Sequence, residues 1–170
     1  MTFVPRPLRL THAVRSTTDL EAVEAVLTYW AVQDVEMTVS LFAEDIVYQL
    51  YVSRSAKPYG IERTGKEAVK GMLYDLLAEF DYLTYEADIL EVSRGVARIQ
   101  QRYVLRHRSS GEELAGSKRF VCTLQNGLFT RIHEYHDAAL VEAFMKLAKW
   151  RLNCERAIVA EKSPRSATGL

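Results

Sequence analysis

Residues 121–137 read VCTLQNGLFTRIHEYHD, and this stretch carries the strongest structural signal in the chain. Residues rich in strand-forming types flank Asn126-Gly127, a pair typical of the two-residue turn that joins antiparallel strands. The stretch therefore predicts a β-hairpin whose second strand ends at His136, directly before Asp137.

The hairpin extends toward the N-terminus into a longer run of strands. Segments 82–92, 96–107, 113–124 and 128–136 have strand composition and are separated by Arg-Gly, Ser-Ser-Gly and Gln-Asn-Gly. Connections this short predict an antiparallel meander of four consecutive strands.

Apolar residues at helical spacing dominate the rest of the chain. They predict a helix that opens at Thr18, a second helix capped by Asp34, and a third whose capping box starts at Thr64. A strand over 46–52 lies between the second and third helices, and a last helix follows the meander. The predicted architecture is α+β, with a strongly curved antiparallel sheet that wraps a helix layer.

Composition is typical of a single-domain globular protein. The chain has 170 residues, of which 48% are apolar and 26% are charged. Its 22 basic residues balance 22 acidic ones, so the net positive charge that favours nucleic-acid binding is absent. We therefore expect no nucleic-acid partner.

Cysteine usage and hydropathy favour a cytoplasmic protein. Cys122 and Cys154 are too few for a disulfide framework, and they belong to no zinc-binding pattern. The N-terminus lacks the apolar stretch of a secretory signal, and no run of about 18 apolar residues could cross a membrane. We expect no membrane partner and no cofactor.

Six short motifs carry a family resemblance. They are 29–34 (YWAVQD), 41–45 (LFAED), 58–60 (PYG), 65–69 (GKEAV), 126–127 (NG) and 134–137 (EYHD). The set resembles the nuclear transport factor 2-like superfamily, and within it the SnoaL-like and ketosteroid-isomerase-like group. The resemblance implies the cone-shaped, cystatin-like fold. It covers residues 18–145, the expected SnoaL-like domain. Residues 1–17 lack clear periodicity and are expected to form an N-terminal arm, and residues 146–170 are expected to form a C-terminal helix extension with a frayed tail.

Two catalytic sets of the superfamily are not retained. The base and oxyanion-hole positions of ketosteroid isomerases fall on Leu50 and Val26, and no acidic residue lies between Glu113 and Glu134. Limonene epoxide hydrolases need five groups. Here Tyr48 and Glu134 remain, whereas Leu50, Gln101 and Tyr103 replace the asparagine, arginine and central aspartate.

SnoaL-like cyclases require less, because ring closure can run with one acid/base residue. Their Glu-His-Trp-Asp segment aligns with 134–137 and retains Asp137. The hydrolase analogy instead places Glu134 in the pocket, and a regular strand cannot present both carboxylates to one face. The resemblance leaves both residues as candidates, with His136 beside them.

Positions important in relatives define the expected concave face: Ile46, Tyr48, Leu50, Ile99, Gln101, Tyr103, Leu105, Ile132, Glu134 and His136. An apolar cavity with a few convergent polar groups is typical of small-molecule sites. The alternative is a filled core in which the tyrosines and the glutamine satisfy one another. The expected substrate-binding residues are Tyr48, Leu50, Gln101, Tyr103 and Trp30.

Glu134 is the leading catalytic candidate. Burial among apolar neighbours is expected to raise its pKa toward neutrality, and His136 on the same face could complete an acid/base dyad. The alternatives are a rim ion pair between Glu134 and Arg98 or Arg131, and an exposed His136 at the mouth. A metal site is not expected, because His133 and His136 fall on opposite faces of a strand.

The leading functional interpretation is a SnoaL-like protein that binds a hydrophobic, carbonyl-bearing or polycyclic small molecule and catalyses acid/base chemistry of the cyclase, isomerase or dehydratase type. One alternative is a noncatalytic ligand-binding or subunit-interaction module. Another is the small subunit of a ring-hydroxylating dioxygenase. In these two alternatives the convex sheet and the C-terminal helix would form the contact, and the resemblance implies homodimerisation through them for the protein as a whole. Trp150 is expected to be a packing or dimer anchor rather than a ligand contact.

Overall fold

The structure is a computed structural model that describes residues 9–10, 17–52 and 62–162. Its strands are β1 (Arg9–Leu10), β2 (Phe42–Tyr51), β3 (Glu62–Thr64), β4 (Phe80–Ser93), β5 (Val96–His107), β6 (Glu113–Gln125) and β7 (Leu128–His136). Its helices are α1 (Thr17–Ala31), α2 (Val35–Ser40), α3 (Lys66–Glu79) and α4 (Ala138–Lys162).

The seven strands form one sheet in the order β1-β4-β5-β6-β7-β2-β3. Strands β4 to β7 pair antiparallel in sequence, which confirms the predicted meander. Strand β2 pairs parallel with β7, so the sheet is mixed. Register shifts within β4 are a source of local bending and twist in the curved sheet.

Two tight turns set the register of the meander. Arg94 and Gly95 have φ of 51° and 72°, and Asn126 and Gly127 have φ of 53° and 75°. Positive φ at both central residues is the backbone geometry of the type I′ turn. The hairpin predicted around Asn126-Gly127 is therefore confirmed.

Local departures from the sequence prediction cluster around β2. This strand begins at Phe42 rather than at residue 46, with a register irregularity between Phe42 and Val47. The predicted capping role of Thr64 is wrong, because Thr64 pairs with Val47 in β3 and Gly65 is the N-cap of α3. Asp34 caps α2 as predicted, accepting from the Met37 backbone N–H at 2.9 Å.

Some sequence expectations fall on residues outside the described ranges. They concern most of the 1–17 arm, the turn at 58–60 and the tail beyond residue 162. Strand β1, within the arm, pairs parallel with β4. Helix α4 runs without a break across the domain boundary expected at residue 145.

The two faces of the sheet differ in chemistry. Aromatic and aliphatic side chains fill the inner face, where Trp30 of α1 meets Tyr82 of β4 edge to face at a centroid distance of 5.7 Å. The outer face carries ion pairs, such as Arg102 with Asp88 at 2.9 Å. Within the described residues, no helix is long and apolar enough to cross a membrane.

Candidate functional site

A cavity of about 580 Å³ lies between the inner face of the sheet and helices α1, α3 and α4. Its wall is mostly aromatic and aliphatic, with contributions from Leu27, Met72 and Phe144 on the three helices. The interior of the cone is therefore hollow, which argues against the filled-core alternative. A cavity of this size and composition suits a small organic molecule.

The structure brings most of the predicted site residues to this cavity. Those that line it are Trp30, Tyr48, Leu50, Ile99, Gln101, Tyr103, Leu105, Ile132, Glu134 and His136. Ile46 is instead packed in the core.

Asp137 lies outside the cavity, so the arrangement expected from the cyclase analogy is wrong. Its side chain is exposed, and Oδ1 accepts from the Leu140 backbone N–H at 3.0 Å. Asp137 therefore caps α4. The end of β7 at His136 explains the outcome, because Asp137 lies in the connection to α4, where its side chain binds the first turn of the helix.

Glu134 is the centre of a buried polar cluster. Only 5% of the residue is exposed. Its Oε1 lies 2.7 Å from Lys118 Nζ and 2.7 Å from His136 Nε2, while Oε2 accepts a hydrogen bond from the Tyr48 hydroxyl. Both carboxylate oxygens are thus occupied by donors from three different strands.

The electrostatics of this cluster reverse the sequence-based expectation for Glu134. Burial alone raises its pKa, but the Lys118 ammonium and the hydrogen bond from His136 outweigh burial and hold the pKa well below the usual carboxyl range. The Glu134 charge in turn raises the pKa of Lys118 against its own burial. The expected rise in the Glu134 pKa is wrong, and the carboxylate is ionised at neutral pH.

Lys118 is the site residue that the sequence analysis missed. It is buried on β6, directly opposite Gln101 of β5 on one side and His136 of β7 on the other. The alternation along β6 held a usable signal, because Lys118 shares an inward face with Phe120 and Cys122. The rim ion pair proposed for Glu134 with an arginine is replaced by this interior pair.

His136 links the carboxylate to a phenol. Its Nε2 faces Glu134 Oε1, and its Nδ1 lies 3.2 Å from the Tyr103 hydroxyl. A carboxylate only accepts hydrogen bonds, so we assign the imidazole proton to Nε2 and the accepting lone pair to Nδ1. Tyr103 then donates to Nδ1.

The environment keeps Tyr103 in its protonated form. Burial raises the pKa of Tyr103 to about 12, although the Lys118 charge opposes this rise. Gly116 lies opposite Tyr103 in the β5–β6 ladder, and a Cβ at that position would stand 2.8 Å from the Tyr103 hydroxyl oxygen. The glycine therefore leaves the space in which this hydroxyl reaches His136.

The cluster carries no net buried charge in its resting state, and it contains groups that can transfer a proton. Lys118 and Glu134 neutralise one another at 2.7 Å, while the imidazole and the phenol hold protons that can be exchanged. Each of these groups lines the apolar cavity. Chemistry on a neutral apolar molecule fits this balance.

His133 takes no part in the cluster. It lies on the outer face, where Nδ1 is 3.1 Å from the Tyr51 hydroxyl, so the two histidines do face opposite sides. Tyr51 and Tyr135 stack beside it at a centroid distance of 4.5 Å. Among the residues described, no group of three or more His, Cys, Asp or Glu side chains could hold a metal ion.

Comparison with known proteins identifies the fold. No family model matches the chain, and no curated protein matches it. A candidate SnoaL-like polyketide cyclase from Mesorhizobium loti superposes with a TM-score of 0.59 at 15% identity, covering 68% of this chain and 97% of that one.

Two further solved structures give the same result. An NTF2-like protein of unknown function from Burkholderia pseudomallei has a TM-score of 0.64 at 13% identity, covering 76% of this chain and 98% of that one. A Catenulispora acidiphila protein with a ketosteroid isomerase-like fold, in complex with trimethylamine, has a TM-score of 0.61 at 20% identity, covering 76% and 96%. The chain has the nuclear transport factor 2-like α+β cone fold.

Proposed function

We propose that the cone binds a neutral, hydrophobic, carbonyl-bearing small molecule and removes a proton from the carbon beside the carbonyl. This step is common to cyclase, isomerase and dehydratase chemistry. The observation that carries the proposal is the buried Lys118–Glu134–His136–Tyr103 cluster on the wall of the apolar cavity. Perturbed ionisable groups in a cleft are typical of functional sites.

In the proposed step, the substrate C–H bond breaks and its electron pair moves onto the carbonyl, which becomes an enolate. The proton passes to the Tyr103 oxygen while the Tyr103 proton passes to His136 Nδ1. Glu134, already bonded to Nε2, stabilises the resulting imidazolium, as a carboxylate does for a catalytic histidine. The Lys118 ammonium supplies positive charge for the enolate oxygen.

These roles refine those expected from the sequence. Glu134 positions His136 and does not itself carry the proton, because its lowered pKa makes the carboxylate a weak base. His136 and Tyr103 become the catalytic pair. Tyr48 holds the second carboxylate oxygen, while Trp30 and Leu50 provide apolar contact with the substrate.

The test uses 2-tetralone, a bicyclic ketone with an acidic C–H that is small enough for the cavity. Binding is followed by the change in tryptophan fluorescence, to which Trp30 in the cavity wall and Trp150 both contribute. Proton removal is followed by the rate of C1 hydrogen–deuterium exchange in D₂O, measured by NMR. We expect the wild-type protein to accelerate exchange. His136→Gln should lower the catalysed rate by about 100-fold or more.

The matched control is His133→Gln, because His133 lies on the outer face and contacts Tyr51 instead of the cavity. This variant should exchange at the wild-type rate. Binding of 2-tetralone without accelerated exchange would refute the catalytic role and favour a noncatalytic ligand-binding module. An equal loss of exchange in both variants would also contradict the assignment.

A further inference from the structure

The cavity wall contains a buried amide without a partner. Gln101 on β5 is 1% exposed, and within the described residues neither its Nε2 nor its Oε1 has a hydrogen-bond partner. A buried donor and acceptor left unsatisfied are costly, so native proteins rarely retain them without a reason. Gln101 also lines the cavity.

The preceding residue, Gln100, has a side-chain amide whose nitrogen and oxygen are both hydrogen-bonded. Gln100 faces the opposite side of β5, where its Nε2 donates to the Lys118 carbonyl oxygen at 3.1 Å and its Oε1 accepts from Arg119 Nε at 3.0 Å. Gln101 pairs in register with Lys118, but the Lys118 ammonium is directed to Glu134. The catalytic cluster therefore leaves the Gln101 amide unused.

Gln101 lies next to the buried polar cluster in the sheet. Gln101, Lys118 and His136 occupy one row across β5, β6 and β7, and Tyr103 lies two residues further along β5. Side chains directly opposite one another on neighbouring strands have Cβ atoms about 5 Å apart. A molecule bonded to Gln101 would thus lie beside the cluster.

We propose that Gln101 selects a ligand with a planar edge that carries a hydrogen-bond acceptor and a donor side by side, as in a lactam or carboxamide. The primary amide offers the complementary pair, with Nε2 donating to the ligand carbonyl and Oε1 accepting from the ligand N–H. The mutual neutralisation of Lys118 and Glu134 favours an uncharged ligand. This inference rests on the proposed binding of a small molecule in the cone and names the class of that molecule.

The test compares 2-quinolone, a bicyclic lactam, with N-methyl-2-quinolone, which lacks the N–H. Dissociation constants are measured by calorimetry for the wild type, for Gln101→Leu, and for the outer-face control Gln100→Leu. We expect the wild type and the control to prefer the lactam by about tenfold or more, since an unmade buried hydrogen bond costs roughly this factor. In Gln101→Leu the preference should shrink to within about threefold.

A second measurement, the unfolding temperature without ligand, tests whether the Gln101 amide is unpartnered in the free protein. Gln101→Leu should unfold at a higher temperature than the wild type in the absence of ligand, because the unpartnered buried amide is gone. If the lactam preference persists in Gln101→Leu, the selection is steric and the inference fails. If 2-quinolone does not bind the wild type, or if both probes bind equally, the inference also fails.

The two proposals can fail separately. His136→Gln should lose exchange of 2-tetralone but retain the lactam preference, because Gln101 does not depend on the imidazole proton. If the wild-type protein accelerates exchange of 2-tetralone but does not prefer the lactam, only the role of Gln101 is overturned. Lactam preference in a wild-type protein without exchange would overturn only the proposed catalysis.

Discussion

Replacing Lys118 by methionine removes the cation that balances Glu134 while keeping most of the aliphatic stem. In the wild type the two groups are 2.7 Å apart and almost fully buried. The variant leaves a buried carboxylate with His136 and Tyr48 as its remaining partners. Loss of one member of a buried ion pair destabilises proteins by about 3–5 kcal/mol.

Protonation sets a limit on this cost. A glutamate with an ordinary pKa of about 4.3 can be protonated at a cost of about 1.4 kcal/mol for each pH unit above that value. The limit is therefore about 3.7 kcal/mol at pH 7 and about 1 kcal/mol at pH 5. We expect Lys118→Met to reduce the free energy of unfolding by about 3 kcal/mol at pH 7 and by about 1 kcal/mol at pH 5.

The sign of the pH dependence follows from the direction of the pKa shift. In the wild type the folded-state pKa of Glu134 is lowered, so its contribution to stability is present above the unfolded-state pKa and is lost as pH falls through the folded value. Without Lys118, burial raises the folded-state pKa. The variant is then least penalised at low pH and loses stability as pH rises.

Urea unfolding at pH 5, 6 and 7, followed by tryptophan fluorescence, measures these differences. The control is Lys146→Met, which removes the i,i+4 pair between the exposed Lys146 and the half-buried Glu142 and should change stability little at any of the three pH values. A double variant, Lys118→Met with Glu134→Gln, should be more stable than Lys118→Met at pH 7 because no charge is left unpaired. A pH-independent cost of Lys118→Met, or a double variant less stable than the single one, would refute the reasoning.

Three further changes test other parts of the structure. Gly116→Ala should displace the Tyr103 hydroxyl from His136 and slow exchange of 2-tetralone by about tenfold or more, with little change in binding of the ketone measured by fluorescence. Asp137→Ala should destabilise the protein by about 1 kcal/mol through loss of the α4 cap, as measured by urea unfolding, and leave the exchange rate unchanged. Light scattering should detect a dimer that Trp150→Asp dissociates, because Trp150 is 60% exposed on α4; an unchanged mass would contradict the expected interface.

The strand pattern could be predicted from sequence because local chemistry determined it. Asn126-Gly127 and Arg94-Gly95 adopt positive φ, and β5 and β7 have the predicted bounds. The start of β2 could not be predicted in the same way. It depends on pairing with β7, where Phe42 lies opposite Phe129, a contact between residues far apart in sequence.

The sequence predicted which side chains face the cavity, but it did not predict how the charges in the cavity wall are paired. Alternation along β7 directed Glu134 and His136 inward, and the same rule applied to β6 would have found Lys118. The direction of the Glu134 pKa shift was not accessible, because it depends on whether a cation accompanies the carboxylate into the core. The unpartnered amide of Gln101 likewise emerges only when every neighbouring side chain has a position.

The proposed chemistry depends most directly on the state of one imidazole. With ¹⁵N-labelled histidine, NMR of the neutral imidazole should show that the His136 ring carries its proton on Nε2 and none on Nδ1. The hydrogen bonds to Glu134 and from Tyr103 require this tautomer. Addition of 2-tetralone should shift the His136 resonances and leave those of His133 unchanged. A proton on Nδ1, or resonances of His136 that do not respond to the ketone, would contradict the account.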